Sequence, residues 1–195
     1  MAQELHPAEN RGLRELYLTA RQLADHWTAL ARRRPGSPIA DVLGRGAQAA
    51  RNLLEELAPA TEAHGLYGQP AAQGTGRAVA RQRHAVRDRF LELNQAARFA
   101  VEDLQHVVTL LGYLEAVSGA SGNGDLAELA GRWERKLRRL ENETRRAVSQ
   151  LGADPDAAIE PLDSSLVGRV AQGSGNLAGT VGEWVDAKTK RRRES

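Results

Sequence analysis

The sequence predicts an all-α protein: a single-domain bundle of four main helices plus a weaker, glycine-rich C-terminal helix, organised around one long central helix. Three observations carry that prediction. From Val86 the apolar residues Val86, Phe90, Leu93, Ala97, Ala100, Leu104, Val107, Leu111 and Leu114 fall alternately four and three apart, the spacing that keeps one stripe of a helix against a partner. Three other stretches repeat apolar residues at helical intervals, and no run alternates in the way a half-buried strand would. Aromatic residues make up 4% of the chain, so the core must rest on Leu, Val and Ala, which suits close-packed helices.

The first helix is expected from Pro7 to Arg33. Its stripe is Leu13, Leu16, Tyr17, Ala20, Leu23, Ala24, Trp27, Leu30 and Ala31. Pro7 suits the first turn, where its missing N–H is not needed, and Arg32-Arg33-Arg34-Pro35-Gly36 stops the helix. Ser37-Pro38 then caps a second helix with Ile39, Val42, Leu43, Ala47, Ala50, Leu53, Leu54 and Leu57 on its buried face. Gly44 and Gly46 either weaken it or mark a close crossing. Pro59 disfavours the helical conformation at Ala58, so the helix is expected to end or kink there. Residues 59–76 read as one long connection, with Gly65, Gly68, Pro70, Gly74 and Gly76.

The third helix, Arg77 to Ser118, would be about 63 Å long at ~1.5 Å per residue. Its second half widens the seam with Val101, Val108, Leu110 and Val117, whereas its first half is strongly cationic. After a turn at Gly119 to Gly124, Asp125 and Glu128 form a capping-box pattern. They open a fourth helix faced by Leu126, Leu129, Ala130, Trp133, Leu137, Leu140, Thr144, Ala147, Val148 and Leu151. Glu128/Arg132, Glu134/Arg138 and Glu141/Arg145 are pairs four apart on its other side, and Gly152 is the stop. One helical turn is expected before Pro161. The organisation is thus a four-helix bundle over 1–152, followed by 153–195, a Gly-rich helix from Ser164 to about Thr189 docked on the bundle and a basic tail.

Charge and cysteine content bound the function. The net charge of +2 is too small to imply a nucleic-acid partner by itself, and the absence of cysteine excludes disulfides, thiolate metal sites and a Cys nucleophile. The N-terminus lacks the regions of a signal peptide, and no stretch approaches the ~18 to 20 apolar residues of a spanning helix. A cytoplasmic protein is the expectation. Membrane contact is not expected, the C-terminal helix with Trp184 and the Lys188 to Arg193 run being the one candidate for it.

Candidate chemistry is sparse. A di-iron bundle needs carboxylates and two Glu-x-x-His pairs on facing helices. Asp103 and His106 make one Asp-x-x-His pair with no second, so a metal site is not expected, and no cofactor is implied. Arg77 and His84, six residues between them, resemble the Arg-x4–6-His signature of HEPN ribonucleases. The resemblance covers those two residues, with Ala78 in place of the polar residue that commonly follows the Arg. It implies His84 as the acid–base group and Arg77 as a stabiliser of phosphate charge. Arg77, Arg81, Arg87 and Arg89 also form a cationic face able to contact phosphates.

The leading expectation is a non-enzymatic interaction or adaptor protein that presents a helix surface to a protein partner or to itself. The alternative is a nucleic-acid-directed protein, a binder or HEPN-like ribonuclease, acting through Arg77 to Arg89. The first rests on a length mismatch: the third helix outreaches its neighbours, leaving Val79, Arg83, Val86 and Phe90 as a partner-binding stripe that a homodimer or another protein would cover.

Overall fold

A computed structural model describes residues 5–63 and 93–158. It is an all-α bundle of α1 (Pro7–Ala31), α2 (Pro38–Ala63), α3 (Leu93–Ala120) and α4 (Gly124–Leu151), followed by the single turn α5 (Pro155–Ala158). The segment 64–92 and the chain after Ala158 lie outside the described residues. The cationic first half of the expected third helix and the expected glycine-rich C-terminal helix both fall there.

Every apolar stripe read from the sequence over the described residues faces inward. Leu13, Leu16, Ala20, Leu23 and Trp27 of α1 meet Leu43, Ala47, Ala50, Leu53 and Leu57 of α2, Leu104, Leu111 and Leu114 of α3, and Ala130, Trp133 and Leu137 of α4, all buried. In α3 the seam is widened by Val101, Val108 and Leu110, also buried, as its second half leads one to expect.

The four long helices stand at the corners of a square. α1 packs on α2 and α3, and α4 packs on the same two, while α1/α4 and α2/α3 are diagonals. Cross-helix contacts set the directions. Gly12 lies against Leu114 and Gly46 against Trp27. Arg45 reaches Glu143 at 3.0 Å and Arg132 reaches Glu56 at 2.5 Å, and Arg145 donates to Gln105. Each adjacent pair is therefore antiparallel, and the diagonal helices α2 and α3 run the same way. Ala63 and Leu93 consequently stand at opposite ends of the bundle, about 39 Å apart along the axis at ~1.5 Å per residue. A bundle with this order needs one long crossover connection, and 64–92 is the only stretch between them.

Two boundaries and one ion pair differ from the sequence reading. The second helix does not stop at Ala58 but continues through Pro59 to Ala63, so the long connection starts later than residue 59. Pro59 is exposed, so the hydrogen bond it forfeits lies on the side open to water. Beyond it the Thr61 hydroxyl donates to the Leu57 and Ala58 carbonyls at 3.0 and 2.8 Å. At α4 the cap is Asn123, not Asp125: its side chain accepts the Leu126 amide at 3.3 Å. Gly122, with φ of 79°, makes the turn that brings Asn123 into place. Arg132 does not pair with Glu128 but leaves its helix for Glu56 of α2, which also accepts the Trp133 indole N–H at 3.0 Å. Glu134/Arg138 and Glu141/Arg145 pair along the helix as expected.

Gly44 and Gly46 turn out to differ. A Cβ at Gly46 would lie 2.1 Å from the Trp27 ring, whereas one at Gly44 would meet nothing within 4 Å. Gly46 is the close crossing; Gly44 is a weak point in an open stretch of helix.

Candidate functional site

Most sequence-predicted site residues lie outside the described structure: Val79, Arg83, Val86 and Phe90 of the partner-binding stripe, and Arg77, Arg81, His84, Arg87 and Arg89 of the cationic face. Asp103 and His106 are described, and the fold draws them to different partners. His26, buried on α1, places Nδ1 2.7 Å from Asp103 Oδ2. His106 Nε2 lies 3.3 Å from Glu15 Oε1. Among the described residues no group of three or more His, Cys, Asp or Glu is arranged to hold a metal ion.

The described residues form an open groove of about 560 Å³ between the start of α1 and the second half of α3. Its origin is local. His6 caps α1, its Nδ1 accepting the Ala8 amide at 3.2 Å, and Pro7 takes the first helical position. One turn later Gly12 has no Cβ to keep α3 away, and Leu114 seats against it at a distance a side chain would occupy. That close approach buries Leu114 and leaves its neighbour Tyr113 on the rim, 48% exposed, the one large hydrophobic side chain exposed among the described residues. Arg11, Glu15, His106 and Thr109 complete the lining, with Leu110 beneath them.

The Glu15 and His106 side chains are each about half exposed, so water competes with the polarity either could impose on the other. An aromatic wall, a cation and an imidazole–carboxylate pair are the parts of a contact surface with apolar area and polar directionality.

Just inside the groove is a polar cluster that the sequence pattern did not reveal. Glu9 is 1% exposed. One carboxylate oxygen, Oε2, accepts the His6 amide at 2.8 Å, completing a capping box. The other, Oε1, faces the α3–α4 turn, where it, Ser118 Oγ and Asn123 Nδ2 are buried without a direct hydrogen bond of good geometry. Burial opposes the Glu9 charge, but the His6 amide and the Ser121, Ser118 and Asn123 side chains outweigh it and hold the carboxyl below its ordinary value of 4.5. The legible signal was Glu9 three residues after His6, an S/T-x-x-E-like spacing with His as the cap. Its burial depended on the turn from another helix pair.

No family model, curated protein or solved structure matches this chain. None of the described helices is long and apolar enough to cross a membrane.

Proposed function

We propose that the protein is a non-enzymatic helical interaction protein and that the α1/α3 groove receives a segment of a protein partner. The observation that carries this reading is Tyr113, held exposed at the rim of the groove while every other large apolar side chain of the described helices is at least partly buried. A segment offering one apolar side chain to Tyr113 and a carboxylate to Arg11 fits the lining. The setting we propose is the cytosol, the expectation from the sequence. The second reading, action on nucleic acid through Arg77 to Arg89, rests on residues outside the described structure. Salt-dependent binding lost in an Arg77/Arg81/Arg87→Ala variant would favour it.

A photoreactive residue in place of Tyr113 tests the docking reading, with the same residue at Glu55 on the exposed side of α2 as reference. The expected result is a cross-link to one defined protein from position 113, abolished by Arg11→Glu. Equal cross-linking from both positions would overturn the groove as the site. For a second copy as the occupant, sedimentation decides: a monomer at high micromolar concentration removes that version.

A further inference from the structure

The outer face of α4 carries a charge asymmetry that the docking groove does not use. Between Arg132 and Arg146 the sequence holds seven cations, Arg132, Arg135, Lys136, Arg138, Arg139, Arg145 and Arg146, against three carboxylates, Glu134, Glu141 and Glu143. The carboxylates are not free to neutralise the outer face. Glu134 and Glu141 lie low on the flanks, their side chains 13% and 9% exposed, each holding the arginine four residues on. Glu143 is engaged by Arg45 of α2. At 3.6 residues per turn, Arg132, Arg135, Lys136, Arg139 and Arg146 fall within an exposed arc of about 100° beside the buried face, over about 21 Å of helix.

Three of these five have no carboxylate partner among the described residues. Lys136 lies over the Trp133 ring at 4.0 Å, which steadies its stem without neutralising it, and Arg139 and Arg146 are exposed. Asp125 and Glu128, at the N-terminal end of the arc, and Glu143, which Arg45 holds, are the acids on it. The neighbouring helices do not share the bias: from Asp41 to Glu62, α2 holds Asp41, Glu55, Glu56 and Glu62 against Arg45 and Arg51.

We propose that this face binds the phosphate backbone of a duplex nucleic acid, without base readout. Guanidinium groups match phosphate oxygens in a fork, and a row of cations over some 20 Å spans several phosphates, since each strand of a duplex carries one for about every 3.4 Å of helix axis. Duplex is favoured over single strand because the arc offers no aromatic platform for unstacked bases: Trp133 is buried and capped by Lys136. This surface lies on α4, away from the groove between α1 and α3, and does not depend on it.

The test is fluorescence anisotropy with the full chain and a labelled duplex of about 20 base pairs, titrated with salt from about 50 mM upward. Lys136→Gln/Arg139→Gln/Arg146→Gln should weaken binding at least about tenfold at low salt and reduce the log–log salt slope by about 2 to 3. The charge-matched control Arg21→Gln/Arg32→Gln/Arg33→Gln on and after α1 should bind like the wild type, and circular dichroism should show both variants fully helical. Absence of binding at low salt, or equal losses in the two variants, would overturn the proposal. So would single strands binding more tightly than duplex, or polyglutamate competing as well as duplex at equal charge, which would assign the face to an acidic protein.

Discussion

The two ends of the bundle are closed by different physics. At the end where α1 begins, α2 finishes and α3 turns into α4, a buried carboxylate, Glu9, faces Ser118, Ser121 and Asn123 of the turn between α3 and α4. At the opposite end Leu30, Ile39, Ala40, Leu43, Leu93, Ala96 and Ala97, with Arg34 beside them, line a partly open space of about 10 Å³, close to the smallest that holds one water, and the contact there is mainly apolar. An apolar seal is insensitive to protons and tolerant of sliding; a polar one is directional and depends on the charge of a single group. The groove lies at the polar end, so its geometry rests on the orientation of α1 that Glu9 helps to set.

The largest effects should come from the shared middle, which belongs to neither end. Leu104→Ala and Leu137→Ala, both fully buried, should each cost about 2 to 5 kcal/mol in chemical denaturation, to the same extent at every pH where the protein is folded. Losses below about 1 kcal/mol at both sites would mean that the middle is not one continuous core.

The next pair separates the ends. Glu9→Ala removes the acceptor of the His6 amide and leaves Ser118 and Asn123 facing a void, a cost of about 1 to 3 kcal/mol near neutral pH. The folded-state pKa of Glu9 is lowered, so its contribution is complete above the ordinary carboxylate value of 4.5 and is lost as pH falls through the folded value. The penalty of Glu9→Ala should therefore shrink on acidification below about pH 4.5. Gly46→Ala, which drives a Cβ into the Trp27 ring, should cost a similar ~1 to 3 kcal/mol with no such pH dependence. Denaturation of both variants at neutral and acid pH gives the answer; parallel behaviour would erase the distinction between directional and apolar sealing.

Smaller effects sharpen the picture. Asn123→Ala loses the cap of α4 and should cost about 1 kcal/mol, seen as a lower midpoint with an unchanged denaturant slope. Gly44→Ala, where an added Cβ meets nothing, should stabilise by roughly 0.5 to 1 kcal/mol. A destabilising Gly44→Ala would show that the helix needs glycine there for a reason other than space.

Much of this architecture is written in local chemistry. Apolar spacing alone identifies α1 to α4 and almost all their buried apolar residues, because a helix must bury one stripe whichever neighbour it finds. Ser37, Gly36, Gly152 and the turn at Pro155 mark boundaries through capping and backbone preferences that act over a few residues. Where a local preference had to compete with packing, it misled. Pro59 stays helical because its lost hydrogen bond faces water and Leu57 is anchored in the core. The cap of α4 is Asn123 because the turn brings that residue, not Asp125, over the Leu126 amide.

The partners of polar residues belong to the tertiary structure alone. Asp103 reads as the mate of His106 on their own helix, yet it binds His26, seventy-seven residues away. Arg132 reads as the mate of Glu128, yet it binds Glu56 on a neighbouring helix. Glu9, a charged residue of the first turn of α1, is buried against the turn between α3 and α4. A hydrophobic stripe needs only some apolar neighbour, so periodicity is enough to announce it; a hydrogen bond or ion pair needs a particular atom within about 3 Å, and which atom arrives there is decided by how the helices are ordered around the square and in which direction each one runs.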